Sequence, residues 1–320
     1  MTRAAVPTRL PAMAKASRPP GRSARTFTVD GQILAAAPRL PGLHLVATPI
    51  GNLGDITLRA LGTLAAANVI ACEDTRVTHR LLSHYAIATP TIAYHDHNAA
   101  AMRPHILARL AADEAVALVS DAGTPLISDP GFKLVREATA AGHRVTAVPG
   151  ASSTLTALSV AALPTDRFFF EGFLPPKSTA RQKRIADIAR IGATLVLFET
   201  GPRLAESLAD LAVGLGERAA AICRELTKLH EEVRRGSLTE LARHYAAGGE
   251  TRGEFVIIVG PAAEETMASD DLDSLLRQAL ARVSVKDAVG EVAVATGLPR
   301  RDVYRRALDL TKDEDHGAAR

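Results

Sequence analysis

The chain contains no tryptophan, and its eight phenylalanines and four tyrosines bring aromatics to only 4% of 320 residues. That scarcity argues against a surface built on rows of stacking platforms for unpaired bases. Cysteine is rarer still. Cys72 and Cys223 stand far apart, each in or beside an apolar run. They read as buried free thiols in a reducing compartment rather than as a disulfide or a metal pair. No apolar run reaches the roughly 18 residues needed to span a bilayer, so the chain reads as soluble and not membrane-bound. The net charge of +3 is too small to name a partner, and no internal repeat is visible.

What is present is a 47% apolar chain, ample for a buried core, at a length that suits one to three domains. Charge is unevenly spread. Residues 1–40 carry Arg3, Arg9, Lys15, Arg18, Arg22, Arg25 and Arg39 against one acid, Asp30, with prolines and small residues between and no periodic apolar face. This stretch is expected to be a disordered basic extension. Its composition fits an organelle transit peptide or a bacterial tail with unspecific phosphate attraction.

From Pro41 onward, short apolar runs alternate with helical patterns. Strands are expected at 43–48, 69–72, 91–94, 115–119 and 145–148, and a helix at 56–68 with Leu58, Leu61 and Leu64 on one face. Each strand ends in a polar cluster: Pro49 to Asp55, Glu73 to Arg76, His95 to Asn98, Ser120 to Gly131 and Pro149 to Ser153. Alternation of strand and helix argues for a mostly parallel sheet covered on both faces, which puts every cluster on one rim. The Ser120–Gly131 loop is the richest of them. Its small residues let a ligand approach the backbone, and its Gly and Pro positions fix the turn. Asp121 sits at the end of an expected central strand.

A second α/β domain follows, with strands at 167–172, 194–199, 219–224 and 254–259, and a charged helix containing Arg181, Lys183 and Arg184. After Pro261 the pattern is helical. Two short helices around Gly297-Leu298-Pro299 suggest a helix-turn-helix, with Arg300, Arg301, Arg305 and Arg306 crowding the second. That basic face suits either RNA contact or plain solvation. The expected domains are therefore 1–40, 41–163, 164–262 and 263–320.

Several chemical readings compete. Gly51 and Gly54, with Glu73 about 20 residues on, invite a dinucleotide site, but the loop lacks the first of the three glycines and Pro49 removes a donor. His95-Asp96-His97 could present two imidazoles to a metal, yet no third ligand stands at motif spacing, and no metal is expected. Gly150-Ala151-Ser152 is not followed by the glycine of a hydrolase elbow.

Five motifs occur together in order: Leu45 to Thr57, Cys72 to Arg76, Ser120 to Gly131, Val148 to Ser153 and Phe173 to Lys177. On these, the chain resembles the ribosomal RNA small subunit methyltransferase I family of the tetrapyrrole methylase superfamily. The resemblance runs from about Gly42 to Pro261, and residues 284–310 resemble the family's C-terminal helix-turn-helix-like segment. It implies two α/β domains with a cofactor cleft between them. It further implies S-adenosylmethionine as cofactor and methylation of the ribose 2′-hydroxyl of a cytidine in the decoding centre of 16S rRNA. The implied setting is a cytoplasmic homodimer acting on the small ribosomal subunit.

The cofactor positions it implies are Pro49, Ile50, Asp121, Gly123, Thr124, Ser152 and Ser153, with Glu199 and Leu226 from the second domain. A ribose hydroxyl is a poor nucleophile, so a group should accept its proton or steady the alkoxide. Glu73 or Asp74 suits the first role, and Arg76 or Lys177 the second. Arg76, His97, Asn98, Lys177, Arg181, Arg301 and Arg305 are candidate RNA contacts. One departure stands out: the family's Glu-Ser-Pro-His-Arg is here Glu199-Thr200-Gly201-Pro202-Arg203, without the histidine. The rival readings are a porphyrin-type methylase of the same superfamily and a non-catalytic ribosome-assembly factor that binds RNA.

Overall fold

A computed structural model describes residues 25–262, 269–296 and 298–317. The chain divides after Ser152 into two compact units.

The first unit opens with a hairpin of β1 (Thr26–Val29) and β2 (Gln32–Ala35). Residues 25–40 are thus not disordered, which corrects the expectation for that part of the extension. Residues 1–24, where a transit peptide would lie, fall outside the described residues. The hairpin has a local cause. Asp30 and Gly31 take φ of 48° and 77°, the left-handed pair that a two-residue turn requires. Phe27 is only 4% exposed and packs with Leu61, Leu64 and Leu82, which supplies the anchor that a lone hairpin lacks. The Thr28 amide also donates to the Tyr85 carbonyl at 2.8 Å.

A parallel sheet follows. Its strands are β3 (Gly42–Val46), β4 (Val69–Cys72), β5 (Thr91–Ala93), β6 (Ala115–Val119) and β7 (Val145–Val148), in the order β5-β4-β6-β3-β7. Every residue of β4 and β6 is buried, as expected of central parallel strands covered on both faces. Their side chains alternate. Ile70, Cys72, Ala117 and Val119 face one core with Leu61 and Leu64 of α1 (Leu58–Ala66) and Leu81 and Leu82 of α2 (Thr75–His84). Val69, Ala71, Val116 and Leu118 face another, with Ile106 and Leu110 of α3 (Ala99–Ala111) and Leu134 of α4 (Phe132–Ala140). Thr57 caps α1 by accepting the Ala60 amide at 3.1 Å, and Asp74 caps α2. Cys72 and Cys223 are both buried free thiols.

The second unit starts with α5 (Ser153–Val160), ahead of the boundary expected at residue 163. The helix packs on this unit's own sheet: the Cys223 thiol lies against the Ala157 carbonyl, and Arg235 donates to the Val160 carbonyl. The sheet contains β8 (Phe168–Phe173), β9 (Thr194–Thr200), β10 (Ala219–Arg224), β11 (Glu232–Ser237) and β12 (Glu254–Val259). Its order is β11-β10-β12-β9-β8, and only the β8–β9 pair is parallel. The intervening helices are α6 (Ser178–Ile188), α7 (Gly201–Leu215) and α8 (Leu238–Ala246). Leu204, Leu208 and Leu211 of α7 bury against Leu195, Leu197, Ile222 and Ile257. Among the described residues that follow are three helices, α9 (Ser269–Leu280), α10 (Val285–Thr296) and α11 (Arg300–Gly317). Leu276, Val289, Val292, Val303 and Ala307 form a small core of their own.

Candidate active site

Because β3 to β7 all run parallel, the loops after them share the carboxyl edge of the first sheet, where open α/β sheets take ligands. Three of these loops are tied together. Thr48 and Gly123 exchange both backbone bonds, at 2.9 and 3.1 Å, and the Thr48 hydroxyl donates to the Ser120 carbonyl. The Thr124 hydroxyl donates to the Ala151 carbonyl at 3.3 Å. Close approach is built in by glycine. A Cβ on Gly150 would stand 3.0 Å from Ala47 Cβ, and one on Gly123, whose φ is 77°, would stand 3.4 Å from Ile50 Cγ2. The loop after β6 also holds Leu126 and Ser128 at φ of 75° and 65°. Two non-glycine residues in the left-handed region cost of order 1–3 kcal/mol each, a strain that clusters at ligand-handling loops. The structure therefore brings together Pro49, Ile50, Asp121, Gly123, Thr124 and Ser152.

A fourth loop joins through Asp121, whose Oδ1 accepts the Asp74 amide at 2.9 Å. Around that bond stand Glu73, Asp96, Asp121 and Asp129. Burial pushes the Glu73 carboxyl above the ordinary glutamate range; the charges of Asp121, Asp129 and Asp96 reinforce it, and the Asp121 amide opposes it in part. Asp129 is pushed up to about 6, chiefly by burial, against a hydrogen bond from Ser120. Sequence reasoning passed over Asp129 and Asp96 as site residues, although both lie in rim loops. The signal was their place just past strand ends, in the same clusters as Asp121 and His97.

Asp74 differs sharply from its neighbour Glu73. It accepts the Arg76 amide at 2.8 Å and pairs with the Arg76 guanidinium at 2.6 Å, and Arg76 holds its carboxyl down to about 2. Asp74 is thereby spent on a helix cap and an ion pair. The Arg76 side chain is 86% exposed. His97 is exposed, whereas Asn98 is committed to the fold: its Oδ1 accepts the His95 amide and its Nδ2 donates to the Ala93 carbonyl. Among the described residues no group of three His, Cys, Asp or Glu side chains is arranged to hold a metal ion.

In the second unit, Arg181 is buried at 2% exposure and bound to Asp210 at 2.6 Å. It therefore braces α6 against α7 and presents nothing to an RNA, which corrects the expectation for that residue. Lys177 is exposed just before α6. Glu199 is also buried. It accepts the Thr200 amide and the Ser207 hydroxyl and lies 3.3 Å from Arg203. Leu226 is buried in a tight turn, between Glu225 and Thr227 at φ of 49° and 64°. The departure at Gly201 has a steric reason: a Cβ there would fall 1.6 Å from the Thr251 carbonyl oxygen. In α11, Arg301 is exposed, Arg305 pairs with Asp302, and Arg306 pairs with the buried Asp273 of α9 at 2.6 Å.

Comparison with known proteins gives a consistent picture. Residues 42–242 match the family described as Tetrapyrrole (Corrin/Porphyrin) Methylases, and residues 266–311 match the RsmI C-terminal HTH domain. The chain is 50% identical over 285 residues to ribosomal RNA small subunit methyltransferase I of Mesorhizobium japonicum, covering 89% of this chain and 97% of that protein. It is 44% identical over 279 residues to the protein of the same name from Synechocystis, covering 85% and 99%. Among solved structures, a conserved hypothetical protein of Aeropyrum pernix K1 matches with a TM-score of 0.54 at 21% identity, over 86% of this chain and 98% of that one. A diphthine synthase matches with a TM-score of 0.53 at 14% identity, over 68% and 89%. These two likenesses concern the fold.

Proposed function

The chain belongs to the tetrapyrrole methylases and, among them, to the ribosomal RNA small subunit methyltransferase I family, and on that premise we propose that it methylates the ribose 2′-hydroxyl of a cytidine in the decoding centre of 16S rRNA. The donor in this reading is S-adenosylmethionine. The observation that carries the reading is the knot of loops at the carboxyl edge of the first sheet, held by the Thr48–Gly123 pair.

The residues of that edge fit such a donor. Glycines at 123 and 150 leave the backbone bare where loops converge, and Glu73, Asp96, Asp121 and Asp129 favour a positive charge nearby. Pro49, Ile50, Asp121, Gly123, Thr124, Ser152 and Ser153 would hold the donor. When bound, the donor supplies an electrophilic methyl carbon for in-line displacement. The protein's share is to hold the hydroxyl oxygen aligned and to take its proton. Glu73 is assigned the proton: its raised carboxyl is a better base than Asp74, which Arg76 holds ionised and engaged. Arg76, His97, Lys177, Arg301 and Arg305 are assigned to the RNA. Asn98 is withdrawn from that set, since its amide is used by its own loop. The protein would act as a homodimer in the cytoplasm, where small ribosomal subunits are substrate.

The test is transfer of labelled methyl to purified small ribosomal subunits, with uroporphyrinogen in parallel. Mapping of a 2′-O-methylcytidine in 16S rRNA would support the proposal. Label on uroporphyrinogen alone, or on neither, would refute it.

A further inference from the structure

The first unit contains a cavity of about 310 Å³ along its edge strand β7, from Arg144 just ahead of that strand to Val148 at its end, where Arg39, Arg59 and Arg144 line the walls. Ala37, Ala67 and Val148 contribute apolar surface between them. We propose that this pocket binds a nucleotide through its phosphate, with the sugar and base resting on the apolar part.

Three observations support it. First, the charge is of one sign: among the described residues no carboxylate lines the cavity, and none of the three arginines is paired with an Asp or Glu. The acids of this unit's site instead gather around Asp121, in the loops after β4, β5 and β6. Second, the guanidinium groups are held in place. Arg39 Nε donates to the Ala66 carbonyl at 3.1 Å, and Arg59 donates from Nη2 to the Ala147 carbonyl at 2.6 Å. Ala66 itself lines the cavity, and Ala147 lies between two lining residues, Thr146 and Val148. Each guanidinium has five N–H donors, so one anchoring bond fixes the fork and leaves the others for an anion. Arg144, exposed just ahead of β7, makes the third corner. Third, the wall beneath is rigid. The buried His44 ring is clamped between the Thr146 hydroxyl and the Leu40 carbonyl, each at 2.8 Å.

The size is at the lower end of the roughly 300–1,000 Å³ of small-molecule sites, which suits one nucleotide unit. The chain's own first residues are an unsuitable occupant on charge grounds. Residues 1–24 carry Arg3, Arg9, Lys15, Arg18 and Arg22 and no acid, so they repel the arginines. The phosphate can belong to a free nucleotide or to an RNA strand, and the same chemistry recognises both.

Titration calorimetry on the full-length protein at low salt separates these cases, with cytidine, cytidine 5′-monophosphate and a single-stranded cytidine hexanucleotide as probes. The variants are Arg144→Glu, which alters an exposed side chain, and the Arg59→Ala/Arg144→Ala pair, with melting temperatures confirming that both fold. We expect the monophosphate to bind, cytidine not to, and both variants to weaken the phosphate-bearing probes by about tenfold or more, the worth of a lost charge-assisted contact. A hexanucleotide that binds much more tightly than the monophosphate, and loses that gain in the variants, identifies an RNA strand. Equal affinities identify a free nucleotide. Cytidine binding as well as its monophosphate, affinities unchanged in both variants, or no binding by either phosphate, would overturn the proposal. The readout uses no methyl donor and no ribosomal substrate, so it stands or fails apart from the proposed methyl transfer.

Discussion

Asp121 Oδ1 accepts the backbone N–H of Asp74 at 2.9 Å, so one carboxylate sets the spacing between the ends of β4 and β6. Loss of that acceptor leaves the Asp74 amide unpaired and frees two loops of the proposed donor site. Asp121→Ala should weaken S-adenosylmethionine binding by about tenfold or more, from a lost hydrogen bond to a charged acceptor. Asp121→Asn keeps an acceptor oxygen and should retain more of the affinity. Calorimetry decides the matter. Equal affinity in wild type and Asp121→Ala would move the donor away from this edge.

Glu73 and Asp74 are adjacent acids with opposite electrostatic settings. Burial and three neighbouring carboxylates raise the first, and Arg76 lowers the second. A base must be ionised to work, so turnover on small ribosomal subunits should fall as pH drops through the raised Glu73 value. Glu73→Gln should lower turnover by about 10²–10⁴-fold, the usual contribution of general base catalysis. It should also abolish that acidic limb, while the carboxylates of Asp96, Asp121 and Asp129 still favour the donor's positive charge. Retention of both the rate and the pH profile in Glu73→Gln would pass the proton to another group.

The strands were legible because buried parallel strands are short, continuous apolar runs: 69–72 and 115–119 are read from sequence and buried in the structure at every position. The rim loops were legible for the same reason, since polar clusters stand out against such runs. The hairpin at 26–35 was hidden by its basic surroundings, although Val29-Asp30-Gly31-Gln32 carries a direct turn signal. Strand β11 was hidden because it lies at a sheet edge and reads Glu-Val-Arg-Arg-Gly-Ser, with charge where apolar residues would mark a strand. The burial of Arg181 was beyond the sequence altogether. Its partner Asp210 lies 29 residues away on another helix, and only the packed structure reveals the pair. Likewise, nothing local reveals that Gly201 faces the Thr251 carbonyl.

Arg76 tests the RNA side of the proposal. Its pair with Asp74 is exposed, and exposed pairs contribute little to stability, so Arg76→Ala should fold normally. Donor affinity should be unchanged, and methylation of small ribosomal subunits should fall by about tenfold through loss of one charge-assisted phosphate contact. Full activity on subunits would reduce Arg76 to the partner of a helix cap.

Asp129 gives a stability prediction with a defined sign. Its carboxyl stands near 3.8 in a free chain and is pushed up to about 6 by burial in the folded protein. The folded state therefore holds this proton more tightly than the unfolded state does, and the contribution is complete below pH 3.8 and lost as pH rises through 6. Above that range a half-buried charge must be maintained beside Asp121 and Asp96. Asp129→Asn removes the charge at nearly constant shape. The variant should gain about 1 to 2 kcal/mol over the wild type above pH 7, less than the full linkage value because the site is partly open to water. Its advantage should shrink toward zero as pH falls to 4. Urea unfolding at a series of pH values measures the difference directly. A gap that stays constant across the range would mean that Asp129 is not titrating in the folded protein, and its place in the carboxylate group around Glu73 would have to be redrawn.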